Sequence, residues 1–149
     1  MKTLKIFTIL SLVTIVTTTS FAQNTERTLV KSFNLKGKDM VMMNVNGDVE
    51  VKEWNQDIMR IEVSINLTNG TSSMLKSLIR AKRYNLTSVV NGDALEIQMP
   101  SLKRKVKVSG KELTEKITYT VFAPADVQVK LSDETSASNV IDVKNSTPL

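Results

Sequence analysis

Apolar and polar residues alternate with a period of two along much of the chain. Val41, Met43 and Val45 alternate with Met42 and Asn44. Val49 and Val51 alternate with Asp48, Glu50 and Lys52, and Ile61, Val63, Ile65 and Leu67 with Glu62, Ser64 and Asn66. Ile117, Tyr119 and Val121 follow the same rule, as do Val127, Val129 and Leu131. Successive side chains of a strand point to opposite faces, so these runs predict half-buried strands. Turn-forming clusters separate them: Asn46-Gly47-Asp48, Asn55-Gln56-Asp57, Asn69-Gly70, Asn91-Gly92-Asp93 and Ala123-Pro124-Ala125-Asp126. Gly, Asn and Asp tolerate positive φ and Pro fixes its own φ, which suits each to a turn. Several strands at such short spacing predict a mainly β protein, built as a sandwich, a barrel or a solenoid.

One segment changes period. From Ser72 to Arg83 the apolar residues fall at Met74, Leu75, Leu78 and Ile79, which is helical spacing. Ser72 or Ser73 suits the N-cap, and Arg80, Lys82 and Arg83 complement the helix dipole at the other end. The segment predicts one short amphipathic helix over about 72–83, resting on the sheet. The stretch from Ser101 to Glu115, with Lys103, Arg104, Lys105, Lys107 and Lys111, reads as an exposed hairpin or loop.

The N-terminus has a different character. Lys2 and Lys5 precede an apolar run from Ile6 to Val16, and Ser20 and Ala22 stand at −3 and −1 of a small-residue cleavage site. This is the layout of a secretory signal peptide over residues 1–22. The apolar run is too short for a membrane span, which needs ~20 residues. The remainder reads as a single β domain over 23–143 with a frayed tail at 144–149. Export to the periplasm or the cell surface follows, with no transmembrane anchor after cleavage. Lys2 and Lys5 leave with the leader, so 18 basic residues face 15 acidic ones and the mature net charge is +3. That balance is too mild to argue for nucleic acid.

Composition narrows the chemistry. The chain has no cysteine and no histidine. Disulfides, thiolate metal sites, a lipidated N-terminal cysteine, Ser-His-Asp and Cys-His catalysis and His-rich metal sites are all excluded. Two close carboxylates suffice for glycoside hydrolysis. Asp48/Glu50 and Glu112/Glu115 are the nearest pairs, but charged strand faces are ordinary, so no enzyme and no cofactor is expected. Asp133-Glu134 with Asp142 does not match the spacing of a calcium loop. Trp54, the one tryptophan, is expected to pack over an end of the core.

The clearest internal echo is Val45-Asn46-Gly47-Asp48-Val49 against Val90-Asn91-Gly92-Asp93-Ala94. Asn-Gly is a strong hairpin signal. A minimal two-residue Asn46-Gly47 loop would set Val45 opposite Asp48, mixing apolar and acidic side chains on one face. A three-residue loop pairs Val45 with Val49, and a four-residue loop from Asn91 to Ala94 pairs Val90 with Leu95 and Leu86 with Met99. Otherwise the glycines mark the corners of solenoid rungs.

The stretch from Met43 to Val63, with its Asn46-Gly47-Asp48-Val49 corner and Glu53-Trp54-Asn55 turn, resembles the opening of the bacterial "putative adhesin" domain family. Tyr119–Leu131 is similar to that family's strand, Pro-containing turn and strand. The resemblance implies a short, right-handed, β-helix-like stack; this chain departs from the family in that only Ser136–Val143 remains after it, enough for about one further strand. It also implies an exported, non-catalytic protein with a binding or structural role at the cell envelope, toward polysaccharide, lipid or protein. A second reading comes from the residues alone. Arg80, Lys82, Arg83, Lys103, Arg104, Lys105 and Lys107 are ordinary for a solvated helix end and loop. Brought together in space, they would suit an anionic glycan or lipid headgroup.

Overall fold

The computed structural model describes residues 25–132. The leader, the segment Ser136–Val143, the tail from 144, and Asp133, Glu134 and Asp142 lie outside them. In chain order the elements are β1 (Glu26–Asn34), β2 (Met40–Asn44), β3 (Asp48–Glu53), β4 (Ile58–Leu67) and α1 (Ser72–Arg80). There follow β5 (Thr87–Asn91), β6 (Ala94–Gln98), a 3-10 turn (Pro100–Lys103), β7 (Lys107–Val108), β8 (Lys111–Glu112), β9 (Glu115–Ala123) and β10 (Gln128–Leu131).

The strands form two four-stranded mixed sheets and a small hairpin. The first sheet has the order β1-β4-β9-β3, the second β10-β2-β6-β5, and β7 pairs with β8. The alternating runs explain the layering. On β4, Met59, Ile61, Val63, Ile65 and Leu67 are buried, while the intervening Arg60, Glu62, Ser64 and Asn66 are wetter. On β9, Ile117, Tyr119, Val121 and Ala123 turn the same way. The antiparallel β4–β9 register sets Ile61 against Val121, Val63 against Tyr119 and Ile65 against Ile117. Val41 and Met43 of β2 and Leu95 and Ile97 of β6 join the same buried cluster. One core therefore draws on both large sheets, whose inner faces meet across it. Each of these side chains contributes on the order of 1.5–3 kcal/mol on burial.

The parallel rung stack implied by the resemblance is not shown. β3–β9, β2–β6 and β2–β10 pair parallel, but β1–β4, β4–β9 and β5–β6 pair antiparallel, and neither sheet closes. The two Asn-Gly-Asp segments have different fates. β2 and β3 belong to different sheets, so Asn46-Gly47 is a corner that carries the chain from one sheet to the other. Asn91-Gly92-Asp93 is a hairpin. Its register sets Val90 against Leu95, as the longer loop requires, and it also pairs Asn91 with Ala94. The loop is thereby tightened to Gly92-Asp93, and Gly92 takes φ +57° as the first residue of a type II′ turn would.

The helix is shorter than its charge pattern predicts. Its N-cap is Thr71, whose Oγ1 accepts the Met74 amide at 3.2 Å, one residue before the expected serines. Its end is closed by two bonds, Lys82 N–H to the Ile79 carbonyl and Arg83 N–H to the Leu78 carbonyl. Lys82 takes φ +58° between them, and together these make a Schellman cap without glycine. Leu75 is buried, and Met74, Leu78 and Ile79 pack on the core from outside. The basic stretch beyond is the expected exposed hairpin, β7–β8, with Ser109 and Gly110 both at positive φ in its turn. β1 has no counterpart among the alternating runs. It is an edge strand in which only Phe33 is buried.

Candidate binding surface

The cap of α1 decides what the basic residues do. The left-handed turn at Lys82 drives Arg83 back into the protein, where it is 7% exposed. Its Nε and Nη2 donate to the two carboxylate oxygens of Glu115, at 2.8 and 2.6 Å. Nη1 donates to the carbonyls of Arg104, at 2.7 Å, and Ser101, at 3.2 Å. The Tyr84 hydroxyl donates to the same carboxylate. Fork-to-fork pairing of this kind is the strongest geometry open to Arg and Glu.

Burial alone would raise the Glu115 pKa, but the Arg83 and Tyr84 hydrogen bonds and the Arg83 charge outweigh it and hold the carboxyl below its ordinary range. Glu115 in turn raises Arg83 above its ordinary value, against the cost of burial. Tyr84 is pushed up, first by burial and then by its bond to Glu115.

Arg83 is therefore a clamp and not an anion ligand. Its guanidinium is committed to Glu115 and to two carbonyls, which corrects its place in the proposed cationic set. The clamp nevertheless joins two of the segments that carry the set. It ties the end of α1, which carries Arg80 and Lys82, to the backbone of 101–104, which carries Lys103 and Arg104. Arg80, Lys82, Lys103, Arg104, Lys105 and Lys107 are exposed. Lys105 is 3.2 Å from Glu112, an open pair that solvent screens. Lys103 lies near enough to Glu96 to help hold that carboxyl below its ordinary range, after the stronger effect of the Asn44 hydrogen bond.

The acidic pairs divide among other partners. Glu112 faces Lys105, Glu115 is bound to Arg83, and Glu50 sits 3.3 Å from Lys52. Among the described residues no group of three or more acidic side chains could hold a metal.

The outer face of the first sheet carries a second cluster, of which sequence reasoning considered only Trp54. Trp54 packs against Phe122, with ring centroids 5.7 Å apart and planes tilted by 42°. Phe122 lies between the buried Val121 and Ala123 and so points away from the core. Trp54 thus lies on the outer face and not over the core end. Its indole N–H donates to the Ile58 carbonyl at 2.9 Å. Lys52 and Arg60 each stand 6.0 Å from the Phe122 ring centre. The register sets Lys52, Phe122, Arg60 and Ser32 in one row across four strands. The next rows are Glu50, Thr120, Glu62 and Val30, then Asp48, Thr118, Ser64 and Thr28. The signal for this face was the odd aromatic, Phe122, at an outward position in an otherwise alternating run.

No protein-family model matches the sequence, and no curated protein matches it. Among the solved structures similar in part are three. One is a "putative adhesin" from Bacteroides fragilis NCTC 9343, at 8% identity and TM-score 0.38, over 70% of this chain and 39% of that one. Another is a "putative cell adhesion protein" from Clostridium sporogenes ATCC 15579, at 12% identity and TM-score 0.38, over 71% of this chain and 45% of that one. The third is a "putative adhesin" from Parabacteroides distasonis ATCC 8503, at 15% identity and TM-score 0.33, over 65% and 32%. The chain spans less than half the length of each. Overlap this partial carries no weight for site or ligand. No helix among the described residues is long and apolar enough to cross a membrane.

Proposed function

We propose that this is an exported, adhesin-like β domain that works without catalysis, by presenting the outer face of its first sheet to a component of the cell envelope. The observation that carries the reading is the ordered row Lys52, Phe122, Arg60 and Ser32, flanked by Trp54. Strand pairing fixes the spacing of these side chains, so little order has to be gained on binding. An aromatic pair beside Lys52 and Arg60, which hold Glu50 and Glu62 at 3.3 and 2.7 Å, suits the apolar faces and hydroxyls of an envelope polysaccharide.

The test is binding of the purified chain to a panel of envelope polysaccharides. Wild type should bind, and Trp54→Ala and Phe122→Ala should each lose binding while keeping the β circular dichroism spectrum. Equal binding by wild type and both variants would sink the reading.

A second reading has its own observation, the Arg83 clamp that brings Arg80 and Lys82 toward Lys103, Arg104, Lys105 and Lys107. Exposed cations on these two joined segments would hold an anionic glycan or lipid surface through long-range attraction, which salt screens. Sedimentation with vesicles containing anionic lipid separates the two. Binding at low salt that vanishes at high salt, and that Arg104→Glu weakens but Phe122→Ala does not, favours the cationic end.

A further inference from the structure

Among the described residues, two open four-stranded sheets leave four strand edges: β1 and β3 on one, β10 and β5 on the other. An edge strand presents unpaired N–H and C=O groups and invites a further strand unless charge, proline or shortness prevents it. Three of the edges carry such guards. β1 holds Glu26, Arg27 and Lys31, β3 holds Asp48, Glu50, Lys52 and Glu53, and the four-residue β10 holds Lys130. β5 has none. It reads Thr87-Ser88-Val89-Val90-Asn91, and Val89 and Val90 are 52% and 44% exposed. Backbone groups in a row accept only another extended strand, so the occupant of this edge is a strand.

We infer that the occupant is β5 of a second copy of this chain, paired antiparallel about Val89 so that the sheet runs on through a homodimer. The segment is complementary to itself. A two-fold axis at Val89 sets Val89 against Val89, Ser88 against Val90 and Thr87 against Asn91, with inner face continuing inner face. No like charges meet, and the Val–Val and Thr–Asn pairs are of the kinds that stabilise neighbouring strands.

The two-fold axis uses β5 of both copies, so the pairing closes as a dimer without leaving β5 free to extend it.

Sedimentation of the purified chain over a concentration series tests this. A reversible monomer–dimer equilibrium is expected. Val89→Lys should raise the dissociation constant roughly ten-fold or more without changing the circular dichroism spectrum. Because the chain has no cysteine, the Val89→Cys variant should oxidise to a disulfide-linked dimer, whereas the Gln56→Cys variant, altered in an exposed turn, should not. A chain that stays monomeric at every concentration overturns the inference. So does cross-linking of the Gln56→Cys variant as fast as that of the Val89→Cys variant, or a seam that forms only with an unrelated polypeptide.

Discussion

Asn46-Gly47-Asp48 and Asn91-Gly92-Asp93 are spelled alike, yet the first turns the chain out of one sheet into the other and the second folds a hairpin within one sheet. Both glycines sit at positive φ, +136° and +57°. What differs is their surroundings. A Cβ on Gly47 would lie 2.3 Å from the Ile117 carbonyl oxygen, whereas a Cβ on Gly92 would meet nothing within 4 Å. The first corner is pressed against the backbone of β9, and the Tyr119 hydroxyl reaches the Asn46 carbonyl at 3.3 Å. The hairpin is held by its own two strands. The lesson is that a turn motif sets which φ values are available, while the strands on either side choose what is turned.

The sharpest break in this comparison is Gly47→Ala. It should cost about 3–5 kcal/mol, because the added methyl has only backbone to displace. Urea unfolding measures it, and a loss below about 1 kcal/mol would remove the close approach from the explanation.

Next comes Glu115→Gln, at the start of the strand that supports the corner. Leaving Arg83 buried without its anion should cost about 2–4 kcal/mol. Its pH dependence has a definite sign. The folded pKa of Glu115 is lowered, so its contribution is full above the unfolded value of ~4.3 and is lost as the pH falls through the folded one. The variant should lose that acid-limb dependence, and amide exchange should rise at 46–48 before it rises at 92–94.

Gly92→Ala should cost only about 1–2 kcal/mol, the conformational strain alone. Tyr119→Phe should be milder still, about 1 kcal/mol for one hydrogen bond, with the exchange effect confined to the first corner.

Legibility in the sequence followed the same division. β4 and β9 were readable because each has one wet and one dry face, so Ile61 to Leu67 and Ile117 to Val121 alternate cleanly. β1 was not, since an edge strand with only Phe33 buried leaves no alternation to see. Val51 fits the alternation yet is 43% exposed, because β3 is an edge. Arg83 read as one more cation of a helix end. Its burial depends on Lys82 adopting a left-handed turn without glycine and on Glu115, 32 residues away, coming to meet it. Arg80, Lys82 and the lysines and arginine of 103–107 are exposed, but only the fold revealed what ties the helix end to the 101–104 backbone. The Trp54–Phe122 contact joins residues far apart in the chain, which no local pattern encodes.

The placing of β2 has a consequence for how the chain comes to be folded. β2 lies between β6 and β10, so its two hydrogen-bonding partners are made about 50 and 90 residues after it, at roughly 5–20 residues per second. A ribosome that has released only the first half of the domain has released a central strand with neither neighbour. The fold cannot assemble in the order in which it is synthesised. It has to wait for the end of the domain, and distant partners of this kind make for slow closure. A chain that stays open until it is complete is one that a narrow translocation channel could still accept.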